Sequence, residues 1–508
     1  MGLDDALSAA TSGLANVGLQ FAVLSQNVTN ASTPDYAAEV TTQTSLDAGG
    51  EGYGVQTGPA TRTLNLALQA GAFEQDGIVA GLATQQTALK QVDAVQGTPG
   101  QGTDLSSLLG KLQDQFSTLG NDPSNSTQQS AVVSAAQSLT QQINALAGSY
   151  TNARQSAQDT VVADAATLNS SLATIGQLST QITQLRAAGA STADLENQRD
   201  TAMNGLSQIL DVKFLEKSNG DMLVMSASGL SLPTTGSPPP FAASSATLGA
   251  SAYYPGGGVP EITLDGTDVT TQLTGGSLGA AINLRDTVLP TFQGQLDEFS
   301  ETLATRFDTQ GLRLLSDGSG NIPASVTPPT QSGYVGFSAS IQVNPAVLAT
   351  PSLVRDGTQS VAATPNGPSA FTPNPAGGPA GFTDLITRVL DYALGTQVSA
   401  GAAQPLPATT GLGPAGTLSS GYAATADLAS QATALVSAQS GVVADTTAQL
   451  TTAQQTQSTL HTQLSAADGV NMDTEMSNMI QLQNSYGANA RVISTLQAVW
   501  TQLLQMAA

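Results

Sequence analysis

The sequence predicts a mainly α protein with β-rich inserts, built as paired terminal helices forming a coiled coil, an elongated helical body and a β-rich middle. Three observations predict it. Leu3, Leu7, Ala10, Leu14, Val17, Phe21, Leu24 and Val28 recur in alternating steps of four and three, an unbroken heptad seam. At the other end, residues 471–506 contain no Pro and a single Gly. Met472, Met476, Met479, Tyr486, Ala490, Ile493, Trp500 and Leu504 line one face there, and Val492, Leu496, Val499 and Leu503 form a second stripe. Between the ends, long Ala-, Gln-, Ser- and Thr-rich stretches at helical spacing alternate with blocks rich in Gly and Pro. Seams this long are marginal when bare in water, and they occupy the ends, where chains usually fray. The two ends are therefore expected to pair with each other and with neighbouring copies, and to be disordered before assembly. The expected interface comprises Leu3, Leu7, Leu14, Val17, Phe21 and Leu24, with Met476, Met479, Tyr486, Ile493, Leu496, Trp500 and Leu503.

Taken in order, the first helix ends at Gln26–Tyr36, where Asn, Ser, Thr and Pro-Asp make a turn. Extended structure follows to Leu68, interspersed with Gly49, Gly50, Gly52, Gly54 and Gly58. Helices are expected at 73–96 and 104–119, then a long one from Thr127 to Ala188 broken only by Gly148 and Gly176, on the order of 90 Å if continuous. Ser191 is placed to cap the next helix. Val212–Ser226 reads as a hairpin around Asn219-Gly220, a dipeptide that suits a two-residue turn because both positions tolerate positive φ. Pro238-Pro239-Pro240 and Gly256-Gly257-Gly258 mark loops. Helix resumes at Ser277 with Pro290 near its start, Asp384–Leu394 is a short helix, 398–420 a Pro/Gly/Thr linker, and 422–467 helical again. The expected domains are 1–40 with 470–508 as the terminal assembly unit; 41–210, 277–315 and 382–469 as the helical body; 211–276 as a β-rich insert; and 316–381 as a second loop- and strand-rich insert.

Composition narrows the function. Of 508 residues only 10% are charged and 4% aromatic, against roughly a quarter charged in ordinary domains. The net charge of −23 repels a phosphate backbone and an anionic membrane surface, so neither nucleic acid nor membrane is an expected partner. No Cys is present, which removes disulfides and thiolate metal sites. Asp4 and Asp5 stand where a signal peptide carries basic residues, and no run reaches 18 apolar residues.

Chemical motifs are weak. His461 is the only histidine, on a helix beside Leu460 and Leu464, and one imidazole builds no His-rich metal site. Gly275-Gly276-Ser277-Leu278-Gly279 matches a nucleophile elbow, and a serine esterase using Ser277 is the remote alternative. The preceding 267–274 is too polar for the buried strand an elbow needs, so Ser277 reads better as a helix cap. Gly411–Gly416 matches G-x-G-x-x-G but follows no apolar strand. Asp265–Asp268 and Asp317–Asn321 are simplest as turns. No catalytic residue, metal or cofactor is expected.

Asn30-Ala31-Ser32-Thr33-Pro34-Asp35-Tyr36 resembles the signature that follows the first helix of bacterial flagellar rod, hook and hook-associated proteins. That family usually has Gly where this chain has Asp35, and Asp tolerates the left-handed conformation. Gly469–Glu475 and Gln483–Leu496 resemble the family's C-terminal helix. Leu195–Asp200, Leu278–Ala280 with Arg285-Asp286, and Val343-Asn344-Pro345 are similar to its hook-associated branch. The resemblance implies a structural adaptor, not an enzyme, joining hook to filament outside the cell. It implies a ring of about eleven copies, export by the flagellar type III apparatus, and a cytoplasmic chaperone on the C-terminal helix. The implied neighbours are hook protein and a second junction protein. The alternatives are another axial component, or an exported filament or adhesin subunit.

Overall fold

A single 62-residue helix is the spine of the molecule. In the computed structural model, which describes residues 2–48, 51–97, 101–235, 239–324 and 330–507, helix α4 runs unbroken from Ser126 to Ala187. Gly49 and Gly50 of the extended stretch and Pro238 of the expected loop lie outside the described residues. The Asn125 side chain caps α4 by accepting from Thr127 and Gln128 amides. Nothing in the stretch is Pro, so the ladder continues for about 93 Å. Gly148 and Gly176 do not break it. At Gly176 the absent side chain lets the Thr234 carbonyl approach; a β-carbon would meet that oxygen at 1.9 Å.

The other elements follow in order. Helix α1 spans Leu3–Asn30. Strands β1 (Glu39–Val40), β2 (Gln43–Ala48), β3 (Glu51–Thr57) and β4 (Thr61–Arg62) form two antiparallel pairs, β1–β4 and β2–β3. Helices α2 (Leu66–Gln96) and α3 (Leu105–Asn121) precede the spine, and α5 (Ala193–Ile209) folds back along it. Next come the small sheets β5 (Val212–Glu216), β6 (Met222–Ser226), β7 (Ser231–Leu232) and β8 (Phe241–Ala243), β9 (Ile262–Leu264), β10 (Thr267–Asp268). Helices α6 (Gly276–Asn283) and α7 (Leu289–Thr309) return the chain to the body. Short helices α8 (Phe337–Ser340), α9 (Pro345–Ala349), α10 (Leu353–Asp356) and α11 (Asp384–Arg388) lead to α12 (Leu428–Asp468) and α13 (Met472–Ala507). The fold is mainly helical with small β sheets in the middle.

Two apolar cores share the spine. One surrounds its first half: Val132, Leu139, Ile143 and Leu146 meet Leu112 and Phe116 of α3, Leu296, Phe299 and Phe307 of α7, and Leu435 of α12. The other surrounds its second half: Leu168, Leu172 and Ile175 meet Leu206 of α5, Val224 and Ile262 of the sheets, and Leu278 of α6. Helix α2 reaches both, through Leu89 and Phe73.

Several local expectations are corrected. At Asn219-Gly220 only Gly220 has positive φ, at 93°, and strand pairing stops at Glu216–Met222. The turn is therefore longer than two residues, with Gly220 N–H donating to the Lys217 carbonyl and its own carbonyl held by Arg199. The two-residue turn occurs instead at Asp265-Gly266, with φ of 49° and 81° between paired Leu264 and Thr267. Ser191 does not cap α5; Thr192 is the cap position, and the Ser191 hydroxyl donates to the Ala60 carbonyl. Ser277 does not cap α6 either, because the cap is Gly275 at φ 73°. Pro290 lacks the N–H that would continue an α-helical ladder, and the π turn at Leu284–Val288 absorbs the defect just before it. The stretch 398–420 is pinned rather than free: Leu412 is fully buried, and Gly413 N–H donates to Gln331.

One buried carboxylate sets a pH dependence. Asp297 on α7 is 1% exposed and accepts from Ser338 hydroxyl and amide, the Gly336 amide and Gln293. Burial nevertheless pushes its carboxyl from 3.8 up to about 6. A raised folded value means stabilisation that is present below pH 4 and lost as pH rises through 6, about 3 kcal/mol in all. Urea titrations at pH 4 and pH 7 are expected to show the stability difference between wild type and Asp297→Asn moving by about that amount in favour of the variant. A pH-independent difference would contradict this reading of Asp297.

Candidate assembly interface

Helix α1 lies between two partners. On one side is α13, on the other the β2–β3 hairpin. The Asn489 amide packs so close to Gly13 that a β-carbon there would meet it at 3.1 Å, and Asn27 donates to Glu475 at 3.0 Å. Fourteen residues forward along α1, Gly13 to Asn27, match fourteen backward along α13, Asn489 to Glu475. The helices therefore run antiparallel in one continuous register, which brings Leu3 level with Val499 and leaves the end of α13 beyond the start of α1.

The heptad reading of α1 describes what this contact covers. Ala10, Val17 and Leu24 are buried, Leu3, Leu14, Phe21 and Val28 half-buried, and Leu7 is 38% exposed. On α13 the half-buried side chains are Glu475, Met479, Leu482, Asn489, Ile493 and Leu496, at spacings of four, three, seven, four and three. Met476, Tyr486, Trp500 and Leu503 are 46–49% exposed in the single chain. The hairpin occupies a polar face of α1: Ser12 accepts from the Val55 amide, Asn16 accepts from the Thr57 hydroxyl, and Gly54 passes where any side chain would strike Ser12. Helix α1 is long and apolar enough to cross a membrane by composition alone, but here α13 and the hairpin flank it.

At the root of the pair is a knot of polar side chains. Asn27, 2% exposed, donates to the Glu39 carbonyl and to Glu475, and accepts from the Glu39 amide and the Tyr36 hydroxyl. Asn197 of α5 exchanges hydrogen bonds with the Ala37 backbone. Arg62 binds Asp200 at 2.6 Å, Asn197 at 2.9 Å and Glu196 at 3.1 Å. Asp468, at the end of α12, accepts the Ala38 amide on its carbonyl and the Asn65 amide on its carboxylate. Asp35 takes the left-handed conformation, φ 61°, and its carboxylate accepts from Asn204. Burial, then the charge of Asp194, pushes the Glu39 carboxyl up. Burial opposes Glu196, but Thr192 and the arginines outweigh it and hold that carboxyl low.

His461 serves this knot. One ring nitrogen lies 2.8 Å from Asp76 on α2 and the other 3.6 Å from Asp35. Ser277 donates instead to Asp164 at 2.6 Å, so no imidazole is bonded to it. Among the described residues no group of three His, Cys, Asp or Glu side chains is placed to hold a metal ion.

The sequence is similar to known proteins. The model of the flagellar hook-associated protein FlgK helical domain matches residues 89–318. The flagellar basal body rod FlgEFG protein C-terminal model matches residues 466–506, from the knot through α13. Flagellar hook-associated protein 1 of Escherichia coli (strain K12) is 26% identical over 471 residues, 80% of this chain and 82% of that protein. Along most of its length the chain is similar to flagellar hook-associated protein 1. The counterpart from Bacillus subtilis (strain 168) is 25% identical over 195 residues, and the match spans 38% of either chain. The flagellar hook junction protein FlgK from Burkholderia pseudomallei is 24% identical, with 50% of this chain and 45% of that one covered and a TM-score of 0.40.

In this chain, sequence periodicity alone did not mark Asn27, Arg62, Asp468, Leu482 or Asn489. The four polar residues carry no apolar period, and each has a partner over a hundred positions away. The available signal was the motif text: Leu195–Asp200 and Asn30–Tyr36 both resemble the family and both enter the knot. Replacing Asn27 by Ala strands the Glu39 amide and carbonyl and is expected to loosen the terminal pair by about 2–3 kcal/mol. Limited proteolysis at residues 30–40 checks it, and cleavage at the wild-type rate would contradict the role given to Asn27.

Proposed function

We propose that this chain is a structural adaptor of the bacterial flagellum, standing outside the cell between hook and filament. It assembles with copies of itself through the paired terminal helices, in a ring of about eleven. Hook protein and a second junction protein are its neighbours, the type III apparatus exports it, and a chaperone covers α13 before export. One observation carries the assembly reading: α13 is long and apolar, yet α1 covers only one of its faces. Met472, Met476, Ile480, Val492, Val499, Trp500, Leu503 and Leu504 are 38–60% exposed. Covering the remaining exposed part of each such side chain is worth about 1 kcal/mol before ordering costs. Scarce charge on both helices means that close packing desolvates few ions.

The interface residues proposed are Leu3, Leu7, Leu14, Val17, Phe21 and Leu24 of α1 with Met476, Met479, Tyr486, Ile493, Leu496, Trp500 and Leu503 of α13. Leu14→Asp and Leu496→Asp are each expected to abolish incorporation into flagella while the thermal unfolding of the central body stays unchanged. Electron microscopy of a deletion strain is expected to show hooks without filaments and filament protein shed into the medium. Filaments of normal length in that strain, or normal incorporation of both variants, would overturn the reading.

A further inference from the structure

The uncovered surface of α13 carries two apolar flanks on opposite sides and in opposite halves of the helix. Met476 and Ile480 lie on one flank near its start; Val492, Val499 and Leu503 lie on the other near its end. At 100° per residue the two sets sit on either side of the α1-facing line, so one copy cannot cover both with one neighbour face. Charge adds a register. Residues 1–61 contain no Lys or Arg, and residues 469–508 contain only Arg491. The Arg491 side chain has no hydrogen bond or ion pair among the described residues, and neither has the exposed carboxylate of Asp473. Eighteen residues, five turns, separate them, so both lie on one line of the outer face, about 27 Å apart along the axis.

We propose that α13 of one copy docks beside α13 of the next, parallel and stepped by five turns, with Arg491 reaching Asp473 of the neighbour. This rests on the assembly reading above and names its contact. The step sets the late flank of one helix beside the early flank of the next: Val499 comes level with Ile480 of the adjoining copy, separated by nineteen positions against a step of eighteen. Two different flanks meet, so the contact is head-to-tail, and the copies of the ring follow one another as a helical layer rather than a flat circle. The single cation fixes the register, as a charge flanking an apolar seam does in coiled coils.

The chain has no Cys, so cross-linking is clean. Asp473→Cys and Arg491→Cys chains are co-expressed in a strain lacking its own copy, and its purified flagella are treated with a short bismaleimide that spans about the reach of an Arg side chain. The expected result is a cross-linked product of twice the chain mass, absent when either variant is expressed alone; the spacing within one chain, about 27 Å, exceeds the linker's reach. Incorporation of both chains without cross-linking overturns the contact but leaves the assembly reading standing. Where the cysteine variants fail to incorporate, charge exchange decides. Arg491→Asp and Asp473→Arg each lose incorporation, and the double variant regains it; a double variant as defective as either single overturns the contact. Failure of the unaltered chain itself to restore filaments overturns the assembly reading instead.

Discussion

The antiparallel contact between the first and last helices is the constraint on which the rest of the molecule depends. It joins residues 448 positions apart at Asn27 and Glu475 and further apart beyond them, so everything between must return the chain to its starting point. Helix α2 leads away from that root, the long spine returns toward it, α5 folds back along the spine, and α12 runs antiparallel to α2 down to the root. The intervening sheets and short helices fill the two cores without disturbing this route.

That contact is incomplete by design of its sequence. Helix α1 has one apolar seam and one polar face, and α13 and the hairpin each take one. Helix α13 has apolar residues on more faces than α1 can reach. A cleft of about 370 Å3 between Gln20, Leu24, Asn27 and Glu475, Leu482 shows that even the covered face is loosely filled near its root. Apolar burial in the single chain is therefore modest, and directional bonds at Asn27, Arg62, Asn197 and Asp468 fix the root in place. A low-charge protein uses its few cations deliberately. Arg154 gives its guanidinium to three backbone carbonyls, and burial lowers it to about 10; Arg199 and Arg285 are almost wholly enclosed.

Much of this was legible in the amino acids. Leu3 to Val28 and Val132 to Ile182 announce their helices because a buried face leaves a period that nothing else mimics. The left-handed Asp35 could be anticipated because the resembling family usually has Gly there and Asp tolerates that conformation. What was illegible lies where long-range packing overrides local chemistry. Asn219-Gly220 took a longer turn because Arg199 and Ile182 press on Gly220. The stretch 398–420 read as linker because its single anchors, such as Leu412 and Gln404, have no period. The knot was only partly readable: its residues sit in quoted motifs, yet which carboxylate meets Arg62 depends on how four helices converge.

The central claim is that α13 is held by one face in the single chain and becomes fully covered only among copies. Amide hydrogen exchange read peptide by peptide, in the free chain and in purified flagella, tests it most directly. The account predicts that residues 476–506 exchange far faster than the α4 spine in the free chain and approach its protection once assembled. Protection of that segment equal to α4 in the dilute monomer would contradict it.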